Sequence, residues 1–257
     1  MSYAFGDTTT AAKRLRLLSD VFAESTREFL REAVDRRPGK AADLGCGPGY
    51  TTQLLADALA PGQTEGLDNS ESFVELARSN SSETVSFRLH DITTEPFPSA
   101  PYDVMFCRFV LTHMQSPESV IALWGRQLGA GGLLLIEEVE HINMANAVLN
   151  KYIDIQKAML IEQGNSLYIG PQLDTFTGSE LLKRRSSSVA KVDVSVIDAA
   201  AMFHMNLGVW RDNEFVKRNY DGAELDALDE GLKDIASGRG DTAPVVWGLR
   251  HLVLERV

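Results

Sequence analysis

The sequence predicts an α/β protein built on a doubly wound, mostly parallel sheet, and three observations lead there. A short apolar run ending at Asp43 passes through alternate glycines, Gly45, Gly47 and Gly49, into a helix-patterned segment. Strand-like and helix-like segments then alternate from Ala41 to Glu140, the pattern of strand–helix–strand units with helices on both faces of a sheet. Finally, 257 residues of which 44% are hydrophobic can bury one substantial core, so a single domain over 1–257 suffices.

Each element has its own signal. Leu15, Leu18, Phe22, Ser25 and Phe29 share one stripe of a helix introduced by Asp7-Thr8-Thr9-Thr10, and Arg36-Arg37-Pro38-Gly39 ends it. Residues 1–38 therefore read as an N-terminal helical cap. Beyond the glycine loop, Leu54, Leu55, Ala58 and Leu59 form a helix face, with Thr51 and Thr52 near its start and Pro61-Gly62 stopping it. After Glu140 the pattern changes: His141 to Gln163 has helical spacing (Val148, Tyr152, Ile155, Met159), and Gly164-Asn165 closes it. This predicts a helical lid over residues 141–185, inserted after the last of the alternating strands. Gly170 to Phe176 reads as a loop, and Thr177-Gly178-Ser179-Glu180 as a capping box opening the next helix. Val189 to Ile197 alternates like a strand, Asp221 caps a helix ending near Gly238, and Val245 to Val257 supplies a final strand.

The glycine spacing carries the chemistry. Alternate glycines let the backbone turn tightly and let a ligand approach main-chain N–H groups. A dinucleotide site prefers G-x-G-x-x-G, whereas this chain has G-x-G-x-G with an acid before it. The charge of Asp43 repels a pyrophosphate and attracts a cation, so the expected ligand is partly cationic.

The run from Asp43 to Gly49 resembles the acidic-x-G-x-G-x-G motif of class I S-adenosylmethionine-dependent methyltransferases of the small-molecule type. Four further segments resemble that family in order. These are Thr64 to Asp68 as a second strand, Phe87 to Ile92 as a third, Tyr102 to His113 as a fourth with the turn after it, and Leu128 to Glu138 as a glycine turn leading into a fifth. The resemblance implies a seven-stranded sheet of order 3-2-1-4-5-7-6 with strand 7 antiparallel, and S-adenosylmethionine as cofactor, leaving as S-adenosylhomocysteine. It implies that Asp68 accepts both ribose hydroxyls and that Asp91 reads the adenine amino group between apolar neighbours. Tyr3 and Arg14 would meet the cofactor carboxylate. The rest of the implied cofactor set is Asp43, Gly45, Cys46, Gly47, Gly49, Asn69, His90, Ile92, Cys107 and Arg108.

In such sheets the ligand lies beyond the carboxyl ends of the strands where strand order reverses, here between the first and fourth. Candidates for a base or substrate contact there are His113, Glu137, Glu138, His141, Tyr168 and His204. His113 is favoured as the catalytic base because an imidazole titrates near neutrality. One of Glu137 and Glu138 is expected to face the substrate, and the choice between them stays open.

A formal net charge of -11 opposes binding to nucleic acid or anionic membrane, which leaves a small molecule as the expected partner. Two cysteines form no disulfide framework, no signal-peptide core is present, and no apolar run is long enough to span a bilayer. A cytoplasmic location follows as an expectation. No acidic triad stands at the strand ends, so no metal is expected, and oligomeric state stays open, a homodimer included. The leading reading is methyl transfer to oxygen, nitrogen or carbon of a small acceptor, in specialised metabolism. Its rival is a protein of the same fold that binds the cofactor without methyl transfer, as a cyclase or binding module. A nicotinamide oxidoreductase ranks third, opposed by the glycine spacing and Asp43.

Overall fold

The computed structural model describes residues 9–240 and 243–257. Seven strands form one sheet: β1 (Lys40–Leu44), β2 (Gln63–Asp68), β3 (Val85–Leu89), β4 (Tyr102–Arg108), β5 (Leu128–Asn143), β6 (Leu182–Val194) and β7 (Val245–Arg256). Their order is β3-β2-β1-β4-β5-β7-β6, with β7 antiparallel to both neighbours and the remaining pairs parallel, as expected.

Strand alternation sorts the core into two layers. Val104, Phe106, Leu133 and Leu135 pack against Phe29 and Leu30 of α1 (Thr9–Ala33) and Leu55 of α2 (Tyr50–Leu59). Met105, Cys107, Leu134 and Ile136 face the other way, against Ile121 and Trp124. Those two come from α4 (Pro117–Gln127), while α3 (Glu71–Arg78) joins β2 to β3. The period of two continues past Ile136, so Glu137 and Glu138 must project to opposite faces.

A further helical layer covers the carboxyl ends of the strands. It consists of α5 (Ala147–Glu162), α7 (Val196–Trp210), α8 (Glu214–Asn219) and α9 (Gly222–Ala236), which share a core with Phe22 of α1 and Trp247 of β7. Side-chain caps set where these helices begin: Asn146 accepts from Val148 and Leu149 N–H, Ser195 from Asp198 N–H, and Asp221 from Ala223 N–H. Among the described residues no helix is long and apolar enough to cross a membrane.

The structure corrects the sequence in five places. β5 runs on to Asn143, which puts His141 in a strand, and α5 starts only at Ala147. The expected loop at 170–176 contains a short helix, α6 (Gly170–Thr175). No helix follows Thr177: Ser179 N–H donates to Leu182 O at 2.8 Å, and Gly178 bridges to Lys183 with φ 138°, closing a turn into β6. That strand begins at Leu182 rather than Val189, because pairing with β7 from Arg256 to Val245 overrides a polar sequence that suits an exposed sheet edge. Last, Val196 and Ile197 open α7, a helix the sequence reading did not contain.

Arg250 of β7 ties the sheet to α6. Its guanidinium meets Glu140 in two parallel hydrogen bonds of 3.0 and 2.8 Å and reaches Asp174 at 2.9 Å. Since the Arg250 side chain is only 8% exposed and that of Glu140 16%, its loss strands the Glu140 carboxylate in a poorly solvated place, whereas the exposed Asp174 keeps its water. Arg250→Ala is expected to cost about 3 kcal/mol of unfolding free energy in urea. A change below about 1 kcal/mol would show that solvent reaches the pair freely.

Candidate active site

The turn after β1 is held from behind. Gly45 and Cys46 N–H both donate to Leu67 O, at 2.8 and 3.1 Å, fastening the loop to β2. Gly45 and Gly49 have φ of 70° and 86°, the left-handed region that a side chain disfavours. Space enforces the same choice, because a Cβ at Gly45 would lie 2.8 Å from Val110 Cγ2 and one at Gly49 2.6 Å from Phe87 Cε1. Asp43 is buried, and its Oδ2 accepts the hydroxyls of Thr51 at 2.6 Å and Thr52 at 2.7 Å. Burial pushes its carboxyl up to about 6, against the pull of those two hydroxyls. The charge of Asp43 thus serves the loop and the first turn of α2. It does not line the cavity, which corrects the expectation that it faces a cationic ligand.

In front of the loop lies a cavity of about 260 Å³, near the lower end of the range for sites that enclose a small organic molecule. Gly45, Cys46, Gly47, Asp68, Asn69 and Asp91 form one end of it, together with Ile92, Arg14 and Arg108. Asp68 stands at the end of β2, where its two oxygens accept Gly47 N–H and Ser70 N–H, each at 2.8 Å. Asp91 accepts the hydroxyl and the N–H of Thr93, at 2.6 and 2.9 Å, and the hydroxyl holds its carboxyl below the usual range. Arg108 is buried against α1, where it donates to Thr26 Oγ1 at 2.9 Å, and Thr26 donates in turn to Glu137 Oε1 at 2.8 Å.

Besides Asp43, three expected cofactor residues lie off the cavity wall. Gly49 sits behind the loop against Phe87, and Cys107 points into the opposite core layer. The His90 ring packs edge-on to Phe97 with Nε2 3.2 Å from Thr94 O. Tyr3 lies outside the described residues.

The other end of the cavity is apolar and aromatic. Phe109, at the end of β4, adopts φ 57°, an uncommon conformation for a bulky residue, and so turns its ring toward Trp247, 6.4 Å between centroids. Phe203, Met202 and Leu160 from the helical cover complete this lobe. Its polar groups are Tyr152 and Gln156 of α5, Asn206 of α7, and His113. The sequence named Tyr152 only as a helix-face residue and missed Gln156 and Asn206. Gln156 follows Tyr152 by one helical turn, so a polar residue inside an apolar stripe was its only signal; Asn206 belonged to the helix that was not foreseen.

His113 ends a single 3-10 turn (Leu111–His113) and lines the cavity, as expected of a residue near the chemistry. Its titration differs from expectation: burial, and secondarily the charge of Arg14, push it down to about 4. The imidazole is therefore neutral throughout the physiological range.

The remaining expected substrate contacts are drawn elsewhere. Glu137 faces α1, with its Oε2 3.0 Å from His251 Nε2. Glu138, on the opposite face, accepts Val110 N–H and Leu111 N–H, both at 2.6 Å, and anchors the turn that carries His113. The His141 ring occupies the space beside Gly248, the Tyr168 ring lies under Lys157, and His204 pairs with Asp229 at 2.8 Å. None of these five lines the cavity.

Comparison with known proteins adds the following. A family model described as a methyltransferase domain matches residues 38–174. The trans-aconitate 2-methyltransferase of Delftia acidovorans is 39% identical over 98 residues, which cover 37% of this chain and 36% of that protein. The chain thus spans little more than a third of the length of such a curated relative. Among solved structures, the plantazolicin methyltransferase BpumL in complex with S-adenosylhomocysteine superposes with a TM-score of 0.51 at 13% identity, covering 96% of this chain and 87% of the other. The [4+2]-cyclase SpnF gives 0.52 at 17% identity, covering 90% and 80%. At such identities the structural likeness speaks for the fold alone.

Glu138 provides a pH test of the site's framework. Burial raises its carboxyl from an ordinary 4.5 to about 8 despite the backbone donors. The native state then holds a proton that the unfolded chain has released, so the stability from this group is full below about 4.5 and lost as pH rises through about 8. Between those limits wild type is expected to lose up to about 1.4 kcal/mol per pH unit relative to Glu138→Gln, read from urea unfolding at pH 5 to 8. Parallel curves for the two proteins would show that Glu138 is ionised in the native state.

Proposed function

The chain belongs to the methyltransferase domain family, of the class I S-adenosylmethionine-dependent type, and on that premise we propose that it transfers a methyl group from S-adenosylmethionine to a small organic acceptor. The observation that carries this is one cavity with two unlike ends. A glycine loop and two carboxylates, Asp68 and Asp91, face one end, and an apolar lobe closed by helices forms the other. Within one domain, the cover comprises α1 from residues 1–38 and the helices of 141–185, with α7 beside them. The apolar lobe supports an acceptor of specialised metabolism, and the two free, buried thiols of Cys46 and Cys107 support a reducing, cytoplasmic setting.

The residues present fit the cofactor by their chemistry. A carboxylate at the end of β2 suits a vicinal diol, one after β3 suits an amino group, and a loop free of Cβ atoms lets a nucleoside lie close. Gly45 to Gly47, Asp68, Asn69, Asp91 and Ile92 would hold it, with Arg14 beside them. When bound, S-adenosylmethionine supplies a methyl group on a positively charged sulfur.

This chain's own residues then orient and desolvate. Asp68, its oxygens fixed by Gly47 and Ser70 N–H, gives the ligand a rigid point of attachment. Phe109, Phe203 and Trp247 exclude water from the acceptor, which favours a displacement in which charge is lost. Neutral His113, on the wall of the cavity, would accept the proton of a hydroxyl acceptor as its oxygen takes the methyl group.

Two measurements test this reading. S-adenosylhomocysteine is expected to raise the melting temperature more than nicotinamide dinucleotides do, and Asp68→Ala to weaken its binding at least about 100-fold by calorimetry, because both anchoring oxygens go at once. Stronger stabilisation by the dinucleotides overturns the assignment. Tight cofactor binding with no labelled methyl reaching any acceptor favours the second reading, a cofactor-binding protein or cyclase, which the likeness to SpnF keeps in play.

For His113, turnover is expected to fall only as pH approaches 4, since the proton-accepting form persists above that value. His113→Ala is expected to lower turnover about 100-fold with cofactor affinity nearly unchanged. An inflection near 6.5 that disappears in the variant would contradict the neutral imidazole.

A further inference from the structure

A buried cation on the cavity wall is only partly satisfied by the protein itself. Arg108 is 8% exposed and lines the cavity. Of the five N–H donors of a guanidinium, one on Nη1 goes to Thr26 Oγ1 at 2.9 Å, and no other hydrogen bond and no direct ion pair ties the group to the described residues. Burial works against its charge, while Glu137 and Asp43 support it from a distance. Thr26 donates its own proton to Glu137 Oε1 at 2.8 Å, so toward Arg108 its oxygen acts as acceptor, and Glu137 Oε2 lies 3.0 Å from His251 Nε2. The guanidinium is thereby held in one orientation, with unused donors on the wall of a cavity, which is where such groups await an anion.

Position narrows the ligand. Arg14 and Thr26 are separated by more than three turns of α1, about 18 Å along its axis. Leu15, next to Arg14, lies over the glycine loop, 3.6 Å from where a Cβ on Gly47 would be, so Arg14 stays the candidate for the cofactor's own carboxylate. The Arg108 guanidinium instead lies 5.6 Å from the centre of the Phe109 ring, and that ring packs edge-on to Phe22 at 5.5 Å and stands 6.4 Å from Trp247. A carboxylate paired with Arg108 has apolar rings beside it, where water competes least with a match of fork to carboxylate. Resting on the methyl-transfer reading, we infer that the acceptor is a carboxylic acid with an apolar body, whose carboxylate pairs with Arg108 and whose body lies among Phe109, Phe203 and Trp247. Thr26 and Glu137 act through Arg108 as positioning residues. This takes Arg108 out of the cofactor set that the resemblance implies.

A matched pair of probes decides it: 2-naphthoate and 2-naphthamide, titrated calorimetrically into the protein at neutral pH with and without saturating S-adenosylhomocysteine. The carboxylate is expected to bind at least about tenfold more tightly than the amide, which has the same shape without the charge. Arg108→Gln is expected to abolish that preference, and Arg108→Lys to reduce it at least about threefold, since an ammonium cannot offer two parallel N–H bonds. Thr26→Val is expected to reduce it by about the same factor and Thr26→Ser to retain it, a difference that only the hydroxyl explains. A cofactor arm separates the two carboxylates: S-adenosylhomocysteine carries one and 5′-methylthioadenosine none, and the advantage of the first over the second is expected to be the same in wild type and in the Arg108 variants. Equal or tighter binding of the amide, binding of neither probe, a preference unchanged by both Arg108 variants, or loss of the S-adenosylhomocysteine advantage in those variants overturns the inference. Failure of S-adenosylhomocysteine to bind wild type is a different result: it removes the cofactor reading, while the two probes alone still decide what Arg108 binds.

Discussion

Asp43, next to last in β1, lies where almost no solvent reaches it, and the hydroxyls of Thr51 and Thr52 across the glycine loop are what make a carboxylate tolerable there. The three residues close a ring: strand end, left-handed turn, first turn of α2. Any shift of the loop breaks two short hydrogen bonds to a buried acid, so the turn is fixed to within a fraction of an ångström. Gly47 N–H is thereby presented to Asp68, and the carboxylate at the end of the neighbouring strand acquires a defined orientation. Burial of Asp43 is offset by this geometry, and the geometry in turn sets everything the cavity offers a nucleoside.

A second constraint comes from the period of a β-strand. Once Leu135 and Ile136 are committed to opposite core layers, Glu137 and Glu138 are committed as well. Glu137 enters the layer under α1 and, through Thr26, meets Arg108. Glu138 enters the other layer and takes the N–H groups of Val110 and Leu111, which lie just after the left-handed Phe109. The left-handed residue that turns Phe109 toward the lobe and the 3-10 turn that carries His113 are thus clamped by one buried carboxyl. Of these two adjacent acids the sequence reading expects one to face the substrate; in space both lie within β5 and fasten it to the two walls of the site.

What was legible in the sequence follows from which interactions are local. The strand–glycine–helix unit, Asp68 and Asp91 depend on short stretches with strong backbone preferences, and they fall where the pattern placed them. β6 is held by long-range pairing with β7, and a run such as Lys183-Arg184-Arg185-Ser186-Ser187-Ser188 carries no strand signal of its own. In α7, by contrast, Ala199, Ala200, Met202, Phe203, Leu207 and Trp210 are all buried, and a helix apolar nearly all round lacks the amphipathic period that identifies one. Because Asn206, Met202 and Phe203 ride on that helix, the acceptor lobe was the least readable part of the site. His204, chosen from the same segment for its chemistry, faces Asp229 of α9 instead.

The low polarity of the lobe also bears on how an acid–base group works there. Water excluded by Phe109, Phe203 and Trp247 makes a loss of charge in the displacement easier, and the same exclusion lowers the affinity of His113 for a proton. These effects are two readings of one dielectric environment and cannot be tuned apart. An imidazole held near 4 is always in its accepting form at neutral pH, but it is a weak base and takes no proton from a resting hydroxyl. In the methyl transfer proposed above, its moment would come only as a hydroxyl acceptor forms its new bond and becomes strongly acidic, when even a weak base suffices. Proton removal is then a consequence of bond formation rather than its trigger. On this account the catalytic burden rests on position and dryness, which the buried ring of Asp43, Thr51 and Thr52 and the helical cover supply.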